Sequence, residues 1–392
     1  MGILSFSPWN LRQINSPAGL SAGVTDSPAA AGDPFACLFG SQQHIGYLDE
    51  AGLVHDCWYD GARGRWNHQQ VNGQDGATNG PPAVGGPFIW TAGLEQHFTY
   101  RTADGVICDS WYAAGRWHLQ RITGPEGLTR GPAAAADPFA GVFANQPHIA
   151  YLDESGLVQD CWYESGGWNL QQINGDGGLT RGSLACGGPF IWMAGAAQQH
   201  FTYYDTAGTI HDSWFDGERW NLQHINGAGG LTDGPRAARL PSVRVHGDQQ
   251  HCCYLGRASL ADEEGIIHDA WFDGAKERWN LQQINGDGGL TPGPAAVSGP
   301  SASVFSPQSP SSQAGLHVTY TDSAGAVCDS WFDSRVSSWN LRWVTGADSA
   351  TEGPPAAGAP CVWTAGASQQ HFTYRTGGGA IYDAWFNAAA PS

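Results

Sequence analysis

The sequence predicts an all-β fold, a single seven-bladed β-propeller over residues 1–392 with four antiparallel strands per blade. Three observations predict it. The segment WNLQQIN or a close variant occurs seven times, beginning at Trp9, Trp66, Trp117, Trp168, Trp220, Trp279 and Trp339, in steps of 57, 51, 51, 52, 59 and 60 residues. Each unit reads as four short strands, and units of about fifty residues with four strands match propeller blades. The chain also starts out of phase with its own repeat, opening on a fourth strand (WNLRQIN) and finishing on a third (AIYDAWFN). Its first and last segments are therefore expected to complete one blade and close the ring, which a sandwich or a solenoid would not require.

Within the second unit the strands are GGPFIWTAG, EQHFTYRT, GVICDSWYA and WHLQRIT. The second and third are joined by ADG, which recurs as DEAG, DESG, DTAG and DSAG; Asp and Gly tolerate the positive φ of hairpin turns. A longer Gly/Pro-rich link of the GDGGLTRGP type leads to the next unit. The fifth unit has a longer link, GRASLADEEG, and the sixth a Ser/Pro-rich insertion, SPQSPSSQAG.

Composition agrees with this organisation. Charged residues are 14%, against about 25% in average soluble domains. Blades packed on both faces leave few positions for charge. Gly and Pro make about a fifth of the chain, and the two repeated Trp motifs account for fourteen of eighteen tryptophans.

The net charge of −18 argues against nucleic acid as a partner and against an anionic membrane surface. No stretch approaches 18 apolar residues, so no membrane insertion is expected. MGILSFSPWN has neither a basic n-region nor a long apolar run, which predicts cytoplasmic synthesis without a signal peptide and leaves release by a non-classical route open. The nine cysteines are scattered. Cys57 and Cys161 stand where other units have Ser110, Ser213, Ala270, Ser330 and Ala384, a small packing position, so they read as reduced. A homo-oligomer is compatible with the sequence.

Two further motifs bear on chemistry. D-[SCA]-W-[FY] recurs at Asp56, Asp109, Asp160, Asp212, Asp269, Asp329 and Asp383, and a histidine at His44, His97, His148, His200, His251, His317 and His371. A base with its orienting carboxylate is one reading. Catalysis, however, needs a specialised copy with a nucleophile nearby, and the pair occurs in every unit, so no catalytic residue is assigned. One His and one Asp per unit is too few ligands for a closed metal site, and no metal or other cofactor is expected. Two readings stay open. The pair can tie neighbouring strands together, with the DSW Trp filling the gap between blades, which makes the protein a scaffold for protein–protein interaction. Alternatively, imidazole and carboxylate meet the hydroxyls of a sugar while aromatic rings meet its apolar face. Seven weak copies on one body would then gain avidity on a glycan-coated surface. A glycan-processing enzyme with an axial site is a third, weaker alternative.

The motifs QHFTYRTADGVICDSWY, GRWHLQRIT and GLTRGPAAA, repeated seven times, resemble the seven-bladed bacterial propeller lectins of the Photorhabdus type. That resemblance implies binding of fucose-like or galactose-like sugars, including O-methylated ones, on fucosylated or related cell-surface glycans. The six-bladed fungal fucose lectins are more distantly similar. Their sites use an Arg on the second strand, a Glu twelve residues later, and aromatic residues of the next blade including the Trp that opens its fourth strand. This resemblance implies carbohydrate-binding positions at His44, Asp56 and Trp66; at His97, Asp109 and Trp117; at His148, Asp160 and Trp168; and at His200, Asp212 and Trp220. It extends to His317, Asp329 and Trp339, and to His371 and Asp383 with Trp9. His251, Asp269 and Trp279 belong to the set, although 18 residues separate that His and Asp. Here His replaces Arg and Asp replaces Glu, so a shorter pair would hold the sugar differently. Tyr59, Tyr112, Tyr163, Phe215, Phe272, Phe332 and Phe386 also stand near these positions. Trp90, Trp192 and Trp363 are expected either to line a second pocket or to fill the core.

Overall fold

The computed structural model describes residues 8–16, 23–257, 265–307 and 315–388. The body of the fifth unit's long link and of the sixth unit's insertion lies outside the described residues. Among the described residues, twenty-eight strands form seven four-stranded antiparallel sheets. Blades 1 to 6 run 35–70, 83–121, 139–172, 185–224, 242–283 and 301–343. The seventh takes its first three strands from Cys361–Ala365, Gln369–Arg375 and Ile381–Asn387 and its fourth from Trp9–Gln13. The expected closure is thus observed, in register from Trp9 opposite Phe386 to Gln13 opposite Tyr382. Among the described residues there is no helix, and so none long and apolar enough to cross a membrane.

The strands exist because both of their faces are covered. In the second strand of blade 2, Glu95–Thr102, alternate residues point to opposite sides. Phe98 and Tyr100, both fully buried, face blade 1 and join Leu48, Val54 and Val71 in one cluster. His97 and Thr99 face blade 3. Each hydrophobic cluster of the molecule spans a junction between two blades in this way. Fully burying a Phe is worth about 1.5–3 kcal/mol, so the core that holds a blade is the one it shares with its neighbour. Around the axis the first strands pack on each other, and Phe35, Phe88, Phe139 and Phe190 form an arc with ring centroids 5.1–5.4 Å apart.

The repeated sequence letters acquire physical reasons. The Asn that ends WNLQQIN locks the outer strand: Asn72 accepts from the amide of Val54 at 2.7 Å and donates to the carbonyl of Pro81 at 2.8 Å. Asn15 does the same across the ring closure, accepting from Ile381 and donating to Gly379. In the hairpin link, Asp49 accepts from the amides of Ala51 and Leu53, while Gly52 takes φ of +80°. The glycine of the GLTRG link stands against a buried tyrosine of the next blade. A Cβ on Gly182 would lie 2.0 Å from the hydroxyl of Tyr203, so no larger residue fits without a shift.

All nine cysteines are free thiols. Cys57 is fully buried within 3.5 Å of the Thr25 hydroxyl, and burial pushes its thiol up to about 12. Ser110 makes the equivalent contact with Thr78 at 3.1 Å. The shared Cys/Ser/Ala position is a small packing site, as its composition indicates.

Candidate functional site

Every blade brings its His and Asp together. On second and third strands in antiparallel register, the His stands opposite the Trp of D-x-W, and the Asp is two residues away on the same face. The Nδ1–carboxylate distances are 3.0 Å for His44–Asp56, 2.9 Å for His97–Asp109, 3.0 Å for His148–Asp160 and 2.9 Å for His200–Asp212. They are 2.8 Å for His251–Asp269, His317–Asp329 and His371–Asp383. The longer link of the fifth blade therefore leaves its pair intact.

The carboxylate has more partners than the histidine. In blade 2, Asp109 accepts from His97, from the Thr99 hydroxyl at 3.0 Å and from Gln120 of the outer strand at 3.2 Å. The outer-strand donor recurs as Gln69, Gln171, Gln223 and Gln282. The Thr donor recurs as Thr202, Thr319 and Thr373. All seven Asp side chains are buried, none exposed by more than 2%. An ionised carboxylate only accepts, so it fixes the proton on Nδ1 and turns Nε2 away from itself. Nε2 of His44, His148 and His200 is buried without a hydrogen-bond partner, that of His97 lies 3.5 Å from the Glu95 carboxylate, and those of His251 and His371 reach the side-chain oxygens of Gln249 and Gln369 at 3.3 and 3.4 Å. For His97, burial disfavours the cation, but Asp109 and Glu95 outweigh it and hold the imidazole above its ordinary range.

Beside each His lies the D-x-W tryptophan of its own blade, near-parallel to the imidazole with centroids 5.9–6.5 Å apart. The Trp opening the outer strand occupies the other face of its own blade. Trp66, Trp117, Trp168, Trp220, Trp279, Trp339 and Trp9 therefore each face the preceding blade. Trp168 donates to Gln120 at 3.2 Å, reaching the residue that holds Asp109, and Trp279 borders a small cleft with Asp212, Trp192 and Gln250. Each junction thus combines His, Asp and a Trp from one blade with the outer-strand Trp and a Tyr or Phe from the next.

The outer-strand Gln, or Arg, was not singled out from the sequence. The outer-strand Gln lies three residues after the repeated Trp, a visible signal, and becomes Arg342 and Arg12 in blades 6 and 7. Arg342 lies 5.4 Å from the Trp331 ring and 5.2 Å from Trp9 across the junction. Trp90, Trp192 and Trp363 stack on His97, His200 and His371 at 4.2, 3.8 and 4.2 Å and donate to Thr99, Thr202 and Thr373. His55 and His211, next to the motif Asp in sequence, point to the opposite face and bond Asp49 and Asp205 instead. Among the described residues, no group of three or more His, Cys, Asp or Glu is placed to hold a metal.

No protein-family model matches the chain, and no curated protein does. Solved structures do. A lectin of Burkholderia pseudomallei, BP39L, superposes with a TM-score of 0.61 at 18% identity, covering 93% of this chain and 97% of the lectin. SapL1 lectin, solved in complex with α-methyl fucoside, gives 0.49 at 15% identity over 80% of this chain and 96% of its own. Aleuria aurantia lectin, in complex with α-methyl-L-fucoside, gives 0.45 at 15% over 84% and 97%. The first of these likenesses establishes that the propeller of this chain is one that a bacterial lectin also adopts.

Proposed function

We propose that the protein is a multivalent lectin that binds fucose-like or galactose-like sugars, including O-methylated ones, in pockets between blades, without cofactor and without turnover. The observation behind this reading is the repeated junction, where an imidazole held at Nδ1 by its Asp stands beside aromatic rings of two blades. A pyranose needs that combination, with rings for its C–H face and a polar atom of defined role for a hydroxyl. BP39L, a lectin with this fold, adds support. Within the motif, His and the two Trp positions are the groups that touch the sugar. The Asp is a positioning residue that holds the imidazole.

A scaffold role is favoured by one observation, that the carboxylates are enclosed and saturated by their own blade. A glycan array combined with calorimetry against α-methyl fucoside and α-methyl galactoside separates the two. Binding at millimolar or tighter affinity, retained after long incubation with intact glycoside, supports the lectin. Absence of binding to any sugar supports the scaffold, and release of free sugar would make the protein an enzyme.

A further inference from the structure

The seven junctions are not alike, and their difference lies in two positions of the first strand. Residues two apart on a strand share a face, and here the shared face looks into the junction. Blades 2, 4 and 7 place Trp then Ala at these positions: Trp90 and Ala92, Trp192 and Ala194, Trp363 and Ala365. Blades 1, 3 and 6 place a small residue then Phe: Cys37 and Phe39, Gly141 and Phe143, Ser303 and Phe305. Blade 5 has Arg244 and His246. In six blades one large ring is present per pair, and only its place along the strand is exchanged.

The exchange decides whether an aromatic ring of the first strand bridges the junction. Where Phe ends the strand, its ring edge meets the histidine at 6.2–6.3 Å and reaches an aromatic ring of the next blade. Phe39 meets Tyr112 at 6.5 Å, Phe143 meets Phe215 at 6.4 Å, and Phe305 meets Phe386 at 6.3 Å. In blade 5, His246 lies 6.4 Å from His251 in the same place. Where Trp is used, the ring lies flat on the imidazole farther in, and its N–H is spent on Thr. Ala then stands where Phe bridged. After blade 2 the next blade's ring, Tyr163, is 41% exposed; Phe272 and Tyr59, after blades 4 and 7, are half-buried.

From these contacts we infer that the sugar enters three junctions, those following blades 2, 4 and 7, and that the other four are closed, three by the bridging Phe and the one after blade 5 by the His246 side chain that stands in its place. This rests on the lectin reading above. In each of the three, a tilted aromatic pair of the next blade faces the space over Ala: Tyr163 with Trp168, Phe272 with Trp279, and Tyr59 with Trp66, at 5.7–5.8 Å. A pyranose edge takes the place of the missing Phe ring, its C–H face on that pair. The polar groups beside it are the histidine Nε2 and the residue two before it: Glu95, which lies 3.5 Å from His97 Nε2, Gln198 or Gln369. An imidazole Nε2 beside a carboxylate or amide suits vicinal hydroxyls of a terminal monosaccharide.

The test is stoichiometry. Titration of the intact chain with whichever of α-methyl fucoside and α-methyl galactoside it binds is expected to give three sites per chain. Ala92→Phe is expected to lower the count to two with an unchanged melting temperature. Ala194→Phe, at a separate junction, repeats the test if the first variant fails to fold. In the reverse direction, Cys37→Trp with Phe39→Ala is expected to raise the count to four. Seven sites, or a count unmoved by Ala92→Phe and Ala194→Phe in folded protein, would overturn the assignment while leaving the lectin intact. Failure of any sugar to bind the unsubstituted chain would overturn both.

Discussion

In every blade a histidine Nδ1 lies 2.8–3.0 Å from an aspartate with almost no accessible surface; for His97 and Asp109 the distance is 2.9 Å. The pair spans the second and third strands, and Gln120 extends it to the fourth. One carboxylate thereby joins three strands of a blade and sets which imidazole nitrogen faces the junction.

That arrangement gives Asp109 a measurable weight. Asp109→Ala leaves the buried donors of His97 and Thr99, and the half-buried one of Gln120, without their acceptor. Breaking a buried charged network of this kind costs about 3–5 kcal/mol. Chemical denaturation should show a loss of that order, and Asp109→Asn, which keeps one acceptor oxygen, a smaller one. Unchanged stability in the Ala variant would show that the pair does not tie the blade.

The close approach at Gly182 predicts a second effect. With a Cβ 2.0 Å from the Tyr203 hydroxyl, Gly182→Ala overpacks the junction and should cost about 1–3 kcal/mol. Adding Tyr203→Phe removes the clashing oxygen, so the double variant should melt above the Gly182→Ala single variant. Simple additivity of the two changes would contradict the packing account.

Stability should fall in mild acid, through groups apart from the repeated pairs. Burial, outweighing the bond to Asp205, holds His211 below its ordinary range, and burial does the same to His55 despite its bond to Asp49. His68 is lowered by burial and then by neighbouring His55. Such bases take up protons more readily when unfolded. Their effect is therefore absent well above the unfolded value of about 6.5 and destabilises the fold as pH falls below it. His97, with a raised value, acts in the opposite sense, its contribution being complete below about 6.5 and lost as pH rises through the raised value. Melting temperatures are expected to drop between about pH 7.5 and pH 5. His211→Gln should reduce the drop, because blade 3 carries Gln159 at this position and bonds Asp153 at 3.0 Å. A drop of equal size in the variant would remove His211 from the account.

Closure by the first strand predicts the effect of removing it. Deleting residues 1–16 strips Trp9 and Leu11 from the core shared with blade 6 and bares the edge of Ile381–Asn387. The truncated chain should melt lower and aggregate through that edge. A monodisperse truncated protein with unaltered melting would mean that the closure is dispensable.

Much of this was legible in the sequence because the repeat reports it directly. Seven copies of WNLQQIN fix the blade count, and the phase of Trp9 against Ile381–Asn387 fixes the closure. The twelve-residue spacing of His97 and Asp109 already placed them on adjacent strands. What remained hidden depends on which face looks at which neighbour. That Trp168 meets Gln120 of the preceding blade follows from the direction in which blades stack, which periodicity within one strand does not contain. The saturation of Asp109 by Thr99 and Gln120 needs three strands in register at once. The exchange of Trp90 and Ala92 for Cys37 and Phe39 is visible in the letters, yet its meaning appears only when Phe39 is seen to touch Tyr112.

The most direct measurement of the central claim is a crystal of the protein grown with α-methyl fucoside. Sugar density is expected between blades, with a hydroxyl on a repeated histidine Nε2 and the ring against the Tyr or Phe and Trp of the next blade. Sugar bound only outside the junctions, or crystals that stay free of it at saturating concentration together with a silent glycan array, would contradict it.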